Sequence, residues 1–91
     1  MNIHTKTLLD YWFRRAGMAA VEGTYVEFNQ EATDNPEEFA LKLVKECEAL
    51  NPTFDASQVD SLEFQDALIN EFAKLVPESY RHIFLAQVRP N

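Results

Sequence analysis

The chain has 91 residues, of which 46% are hydrophobic, and it carries a net charge of −7. This length predicts a single domain over residues 1–91, and the hydrophobic share, with seven Phe, three Tyr and one Trp, excludes a disordered acidic tail. The negative charge argues against direct binding to nucleic acid or to an anionic membrane, because both would repel the chain.

Cysteine content and hydropathy favour a cytoplasmic protein. Cys47 is the one cysteine of the chain, so a disulfide within the chain is impossible. No stretch approaches the roughly 18 apolar residues that a membrane span requires, and residues 1–12 lack the apolar run of a signal peptide. We therefore expect a reducing compartment and no membrane partner.

The first predicted helix covers about residues 5–16. Its apolar side chains recur at helical spacing: Leu8, Leu9, Trp12, Phe13 and Ala16. Thr5 is the predicted cap of this helix, and Gly17 is its predicted end.

Residues 18–33 have the weakest pattern in the chain. Residues 24–28 are rich in β-branched and aromatic side chains, which predicts a short strand. Because a lone strand leaves its backbone groups unpaired, it needs a partner. The two candidates are residues 19–21, across a turn at Glu22-Gly23, and residues 83–88.

The second predicted helix covers residues 36–50 and has the clearest boundaries. Asn35 is its predicted cap, Pro36 fits the first helical position, and Glu38 completes a capping box. Cys47 lies on the apolar face of this helix, where it is expected to be an inert core residue.

The third predicted helix begins at Asp60, which forms a second capping pair with Glu63, and continues to about Val76. Beyond Pro77, residues 80–88 predict a last helix, although residues 83–88 predict an edge strand equally well. The predicted fold class is therefore mainly α: three to four short helices around one core. A two-stranded element that pairs residues 24–28 with 19–21 or 83–88 is left open.

No catalytic or metal-binding pattern is present, so we expect neither an enzyme nor a cofactor. His4 and His82 lack the spacing to other ligands that a zinc site needs. A calcium loop starting at Asp55 would require an oxygen ligand where Val59 stands and a glycine where Asp60 stands. No serine or cysteine lies near a base in a pattern typical of nucleophilic catalysis.

The segment Asp60-Ser61-Leu62-Glu63 resembles the Asp-Ser-Leu attachment site of acyl carrier proteins, which are small, acidic and helical. The resemblance implies that Ser61 would carry a phosphopantetheine arm at the start of a helix. It also implies that the acidic face of that helix, including Asp66, would bind partner enzymes. The alternative is that Asp60, Ser61 and Glu63 are ordinary residues of a helix start.

The negative charge is concentrated in the middle of the chain. Residues 22–66 hold twelve acidic side chains and two lysines, a net charge of −10, whereas residues 1–21 carry +2 and residues 67–91 carry +1. If the second and third predicted helices pack side by side, these acids form a contiguous negative surface. The alternative is that they only cap helices and cover their solvated faces.

From this charge pattern we expect a small non-catalytic protein-interaction module, a regulator or inhibitor whose acidic face docks on a basic protein. A nucleic-acid-binding protein is one natural partner class, in which case the face would mimic phosphates. The predicted binding residues are Glu31, Asp34, Glu37, Glu38, Glu46, Asp55, Asp60, Glu63 and Asp66. A second alternative is an oligomeric subunit whose aromatic side chains form a self-association patch, namely Trp12, Phe13, Tyr25 and Phe84.

Overall fold

A computed structural model describes residues 1–74 and 77–88 of the chain. Its elements are α1 (Ile3–Glu22), α2 (Tyr25–Asp34), α3 (Pro36–Leu50), a 3-10 turn (Ala56–Gln58), α4 (Ser61–Ala73) and α5 (Glu78–Val88). The prediction of a mainly helical bundle is confirmed, since the described residues form helices and no strand, but they form five α-helices rather than the three to four that were predicted. Leu75 and Val76, at the end of the third predicted helix, lie outside the described residues.

Helix α1 is longer than predicted at both ends. Asn2 caps it, with its Oδ1 accepting the backbone N–H of Thr5 at 2.8 Å, so Thr5 is not the cap. Gly17 does not end the helix, because an exposed glycine costs only about 1 kcal/mol in a helix interior and the apolar face continues to the buried Ala19. The helix ends before Gly23, whose φ of 78° lies in the left-handed region that favours glycine.

The predicted strand is wrong, because residues 25–28 begin helix α2. An alternating pattern would bury Val26 and Phe28 on one face, but Val26 is 75% exposed whereas Phe28 is 8% exposed. Helical spacing instead places Tyr25, Phe28 and Ala32 together against the core. Both candidate strand partners are helical as well: residues 19–21 belong to α1 and residues 83–88 to α5.

The predicted bounds of α3 and the predicted start of α4 are confirmed, whereas α4 covers Ser61–Ala73 and its predicted continuation to Val76 is not confirmed. Pro36 is the first residue of α3, yet the side chain of Asn35 makes no capping hydrogen bond. At the start of α4, Asp60 Oδ1 accepts the backbone N–H of Glu63 at 3.0 Å, which confirms this half of the predicted capping pair. The start of α4 is therefore fixed by a side chain, and that of α3 by the proline ring.

The core is built around Trp12 of α1. Its ring meets Phe39 of α3 edge-on at a centroid distance of 5.1 Å and Phe64 of α4 at 5.6 Å. Phe39 also contacts Phe28 of α2 edge-on at 4.9 Å. Since α2, α3 and α4 all pack on α1 and α5 packs on α4, α1 is the central helix of the bundle.

Two small buried residues complete the core. Thr5 is fully buried, and its Oγ1 accepts the backbone N–H of Asp60 at 2.9 Å, which ties α1 to the start of α4. Cys47 is also fully buried, which confirms its prediction as a core residue, and burial raises the pKa of its thiol. A buried thiol with a raised pKa is a poor nucleophile.

Candidate functional site

A groove of about 860 Å³ lies between α3 and α4 in the described part of the chain. We call it the central groove. Leu8 and Trp12 of α1 form its floor. One wall comes from α2 and α3 and consists of Asn29, Ala32, Thr33, Pro36, Ala40 and Val44. The opposite wall comes from the 3-10 turn, the residues after it and α4, and consists of Ala56, Val59, Ser61, Phe64, Gln65, Leu68 and Ile69. The lining is therefore largely apolar, with four polar side chains.

The central groove exists because α3 and α4 both pack on α1 and lie on either side of it. Small side chains keep the space between them unfilled, with Ala32, Ala40 and Ala56 lining the groove where larger residues would close it. Trp12 forms the bottom of the groove and is itself held by Phe39 and Phe64. The floor is thus rigid core rather than a loosely packed surface.

This arrangement divides the predicted acidic face. A contiguous negative surface required the two helices to pack side by side, but the central groove separates them. The acids at the corner of α2 and α3 lie beyond one wall, and those at the start of α4 lie beyond the other. The predicted residues therefore form two groups rather than a single surface.

Glu46 belongs to neither group, and its role in docking stays a prediction, because its carboxylate already has partners within the chain. Its Oε1 accepts a hydrogen bond from the Tyr11 hydroxyl at 2.5 Å and another from Arg15 Nε at 3.1 Å. Both donors lie on α1, and Glu46 is half-buried. The carboxylate therefore fastens α3 to α1.

The Tyr11–Glu46 contact predicts a specific pH dependence of stability. Burial, and then the hydrogen bond to Glu46, raise the pKa of Tyr11 from 10.0 to about 12. The unfolded chain releases this proton near pH 10 while the folded protein keeps it, so the stabilisation is complete below pH 10 and is lost as the pH rises to 12. In Tyr11→Phe we expect this loss to disappear, as measured by urea unfolding of both proteins below and above pH 10. Parallel pH curves for the two proteins would contradict the assignment.

Three further predicted acids are held by local partners. Glu31 Oε1 lies 3.5 Å from Lys42 Nζ, and Glu63 Oε1 lies 3.2 Å from the N-terminal amino group. Asp55 accepts hydrogen bonds from the side chains of Ser57 and Gln58 and from the Ser57 backbone, which lower the pKa of its carboxyl group. These carboxylates already have partners within the chain, so a docking partner would have to compete with them.

Three exposed acids flank the central groove by helical spacing, and we call them the groove acids: Glu37, Glu48 and Asp66. Glu37 lies seven residues before the lining residue Val44, and Glu48 lies four residues after it. Glu37, Val44 and Glu48 therefore share one face of α3. Asp66 lies one turn before the lining residue Ile69 of α4. Glu48 was not among the predicted residues, although its spacing from Val44 was the signal that could have identified it.

The remaining predicted acids are exposed but differ in position. Asp34 follows the lining residue Thr33 and accepts a hydrogen bond from Gln30 at 2.9 Å. Asp60 stands between the lining residues Val59 and Ser61, where it caps α4. Glu38 is exposed and follows Glu37 in the first turn of α3.

Exposed aliphatic side chains continue the apolar lining beyond the groove edge. Val26 of α2, Leu41 of α3 and Leu62 of α4 are 75%, 59% and 80% exposed. Each lies one turn before a lining residue of its own helix, namely Asn29, Val44 and Gln65. We call these three residues the apolar rim.

The aromatic patch predicted for self-association is not formed as expected. Trp12 is buried in the core and Tyr25 is half-buried and packed against it. Phe13 is also half-buried. The side chain of Phe84 is not among those that the structure describes. Self-association through this set therefore has no support from the residues described.

Ser61 is exposed and is the first residue of α4, so its modification stays a prediction. Within residues 1–74 and 77–88, no three His, Cys, Asp or Glu side chains come together as a metal site would require. The same part of the chain has no helix with the length and apolar character needed to cross a membrane. Comparisons with models of protein families, with curated proteins and with solved structures gave no match.

Proposed function

We propose that this protein is a non-catalytic interaction module, a regulator or inhibitor that docks on a basic protein through the central groove and its acidic flanks. The observation that carries the proposal is the combination of an apolar groove with acids on both of its walls. Glu37 and Glu48 flank the wall formed by α3, and Asp66 flanks the wall formed by α4.

The charge of the flanks supports a basic partner. Among the described residues, neither Glu37 nor Glu48 forms an ion pair, so the charges on the wall formed by α3 are not neutralised by a neighbouring cation. Exposed acids attract basic surfaces over a Debye length of roughly 8 Å at physiological salt, which speeds encounter and selects against acidic partners. The apolar lining then supplies the area whose burial provides most of the binding free energy.

Non-catalytic action is supported by the placement of the groups that could react. The Cys47 thiol is fully buried away from the groove lining, and His4 Nδ1 accepts the backbone N–H of Asp55 at 3.0 Å. Ser61 does line the groove, but none of the other lining residues is a base that could activate its hydroxyl. A more specific form of the proposal is that the basic partner is a nucleic-acid-binding protein. The acids beside the groove would then mimic nucleic-acid phosphates.

The experiment is capture on the immobilised protein from an extract of its host at low salt, followed by stepwise elution with salt. We expect the retained proteins to be enriched in basic chains, and we expect their release as salt rises, because screening removes the long-range attraction. Retention that shows no bias toward basic proteins, or that does not respond to salt, would contradict the proposal.

A further inference from the structure

We propose that the central groove binds one amphipathic helix of the partner, with aliphatic side chains on the face that enters the groove and Lys or Arg along its two edges. This inference rests on the proposed function and specifies its partner. The shape of the groove, the apolar rim and the position of the groove acids support it.

The shape of the groove matches a helix. Its lining positions on the two facing helices run from Pro36 to Val44 and from Ser61 to Ile69. Each stretch is about two helical turns, or roughly 12 Å, and the two stretches face each other across Trp12. A helix of about 14 residues covers this length with more than half a turn to spare at each end. Recognition of this kind uses aliphatic anchors spaced at three and four residues.

The apolar rim favours a helix over a small molecule. A groove of about 860 Å³ is within the volume range of small-molecule sites, but a ligand inside it would leave Val26, Leu41 and Leu62 exposed. A helix is about 10 Å wide with its side chains, so it rises above the groove and covers aliphatic side chains on both walls. Covering these exposed side chains is favourable in proportion to the apolar area removed from water.

The groove acids define the edges of the bound helix. Lys42 of α3 is turned away from the face of Glu37, Val44 and Glu48, because each residue turns the helix by about 100°, and it lies 3.5 Å from Glu31. Lys45 lies one turn before Glu48 and borders that face, but among the described residues it forms no ion pair with Glu37 or Glu48. Lys or Arg beside the aliphatic anchors of a partner helix would then lie opposite the acids on either wall.

A second copy of the chain fits the groove poorly. Both copies carry a net charge of −7, so their acidic middles repel each other. Helix α1 holds three of the basic residues, Lys6, Arg14 and Arg15, but its apolar face is the core of the bundle. The occupant we infer is therefore a helix of another, basic protein.

The test uses a defined probe, a fluorescent peptide of about 14 residues with Leu at helical spacing on one face and Lys on both edges. Fluorescence anisotropy measures its binding to the full chain. In Ala40→Phe a ring projects into the groove from α3, and in Gln65→Phe a ring projects from the exposed opposite wall. Ala49→Phe is the matched control, because Ala49 is an exposed residue of α3 that does not line the groove.

We expect the wild-type chain and Ala49→Phe to bind the peptide equally, and Ala40→Phe and Gln65→Phe to weaken binding at least about tenfold. A peptide with Glu in place of Lys should not bind. Circular dichroism and urea unfolding verify that the variants fold, and Gln65→Phe keeps the test valid if Ala40→Phe does not. Equal peptide binding by the wild-type chain and a folded groove variant would overturn the inference.

Three other outcomes would also overturn it, and they separate its failure from that of the proposed function. Binding of an apolar dye but not of the peptide, lost in Gln65→Phe, would show a small-molecule site. Dimerisation in sedimentation, lost in Gln65→Phe, would show a second copy in the groove. If the groove variants bind a captured basic protein as well as the wild-type chain does, and salt releases it, then the inference that a helix occupies the groove is wrong but the proposed function stands.

Discussion

Replacing Trp12 with Ala is expected to destabilise the fold by about 3–5 kcal/mol, the largest effect of any single substitution proposed for this chain. Trp12 is 7% exposed and makes edge contacts with Phe39 and Phe64, so it joins α1 to both α3 and α4. Its removal leaves a cavity where three helices meet. A small domain has a total stability of only about 5–15 kcal/mol, so a large part of the folded population would be lost near physiological temperature.

Urea unfolding monitored by circular dichroism measures this effect, since the single Trp is absent from the variant. Val21→Ala is the control on the same helix, because Val21 is 90% exposed and its substitution should change stability by no more than about 0.5 kcal/mol. A Trp12→Ala protein as stable as Val21→Ala would show that Trp12 is not the centre of the core.

Reversing the three groove acids is expected to weaken binding to the captured basic partner about a hundredfold at low salt. The variant combines Glu37→Lys, Glu48→Lys and Asp66→Lys. Each reversal replaces an attraction with a repulsion, which is worth about 1 kcal/mol for exposed groups, and about 3 kcal/mol corresponds to a hundredfold change in affinity. Because all three residues are exposed, the fold should be retained.

The control variant separates the position of the charges from their number. It combines Glu22→Lys, Glu27→Lys and Glu78→Lys, three exposed acids that do not line or flank the groove. Both variants change the net charge from −7 to −1, because each reversal adds two charges. Titration calorimetry with the captured protein measures both affinities. An equal loss in both variants would mean that only the overall field matters and that the groove acids have no special role.

The helices whose ends carry strong local signals could be predicted from the sequence. Helix α3 begins at Pro36 and ends at Leu50, two residues before Pro52. The side chain of Asp60 fixes the start of α4. The sequence-based predictions are wrong where tertiary packing overrides a local preference. Gly17 predicts a helix end, but the burial of Ala19 extends α1 beyond it. The β-branched and aromatic side chains of residues 24–28 predict a strand, but residues 25–28 begin helix α2.

The candidate site was predictable only in its charge. The concentration of acids in residues 22–66 is visible by counting, but their grouping depends on how α3 and α4 are placed on α1. Glu46 illustrates the difficulty: nothing in its own helix shows that Tyr11 and Arg15, more than thirty residues earlier, bind its carboxylate. The groove was invisible for the same reason, since its lining comes from segments that are distant in sequence.

The most direct test of the docking surface is mapping of backbone amide shifts by nuclear magnetic resonance as the captured basic partner is added to the labelled chain. We expect the perturbed signals to cluster along the groove walls, around Glu37, Val44, Ser61 and Asp66. Perturbations confined to the far side of the bundle, around Met18 and Val21 of α1, with the groove signals unchanged, would contradict it.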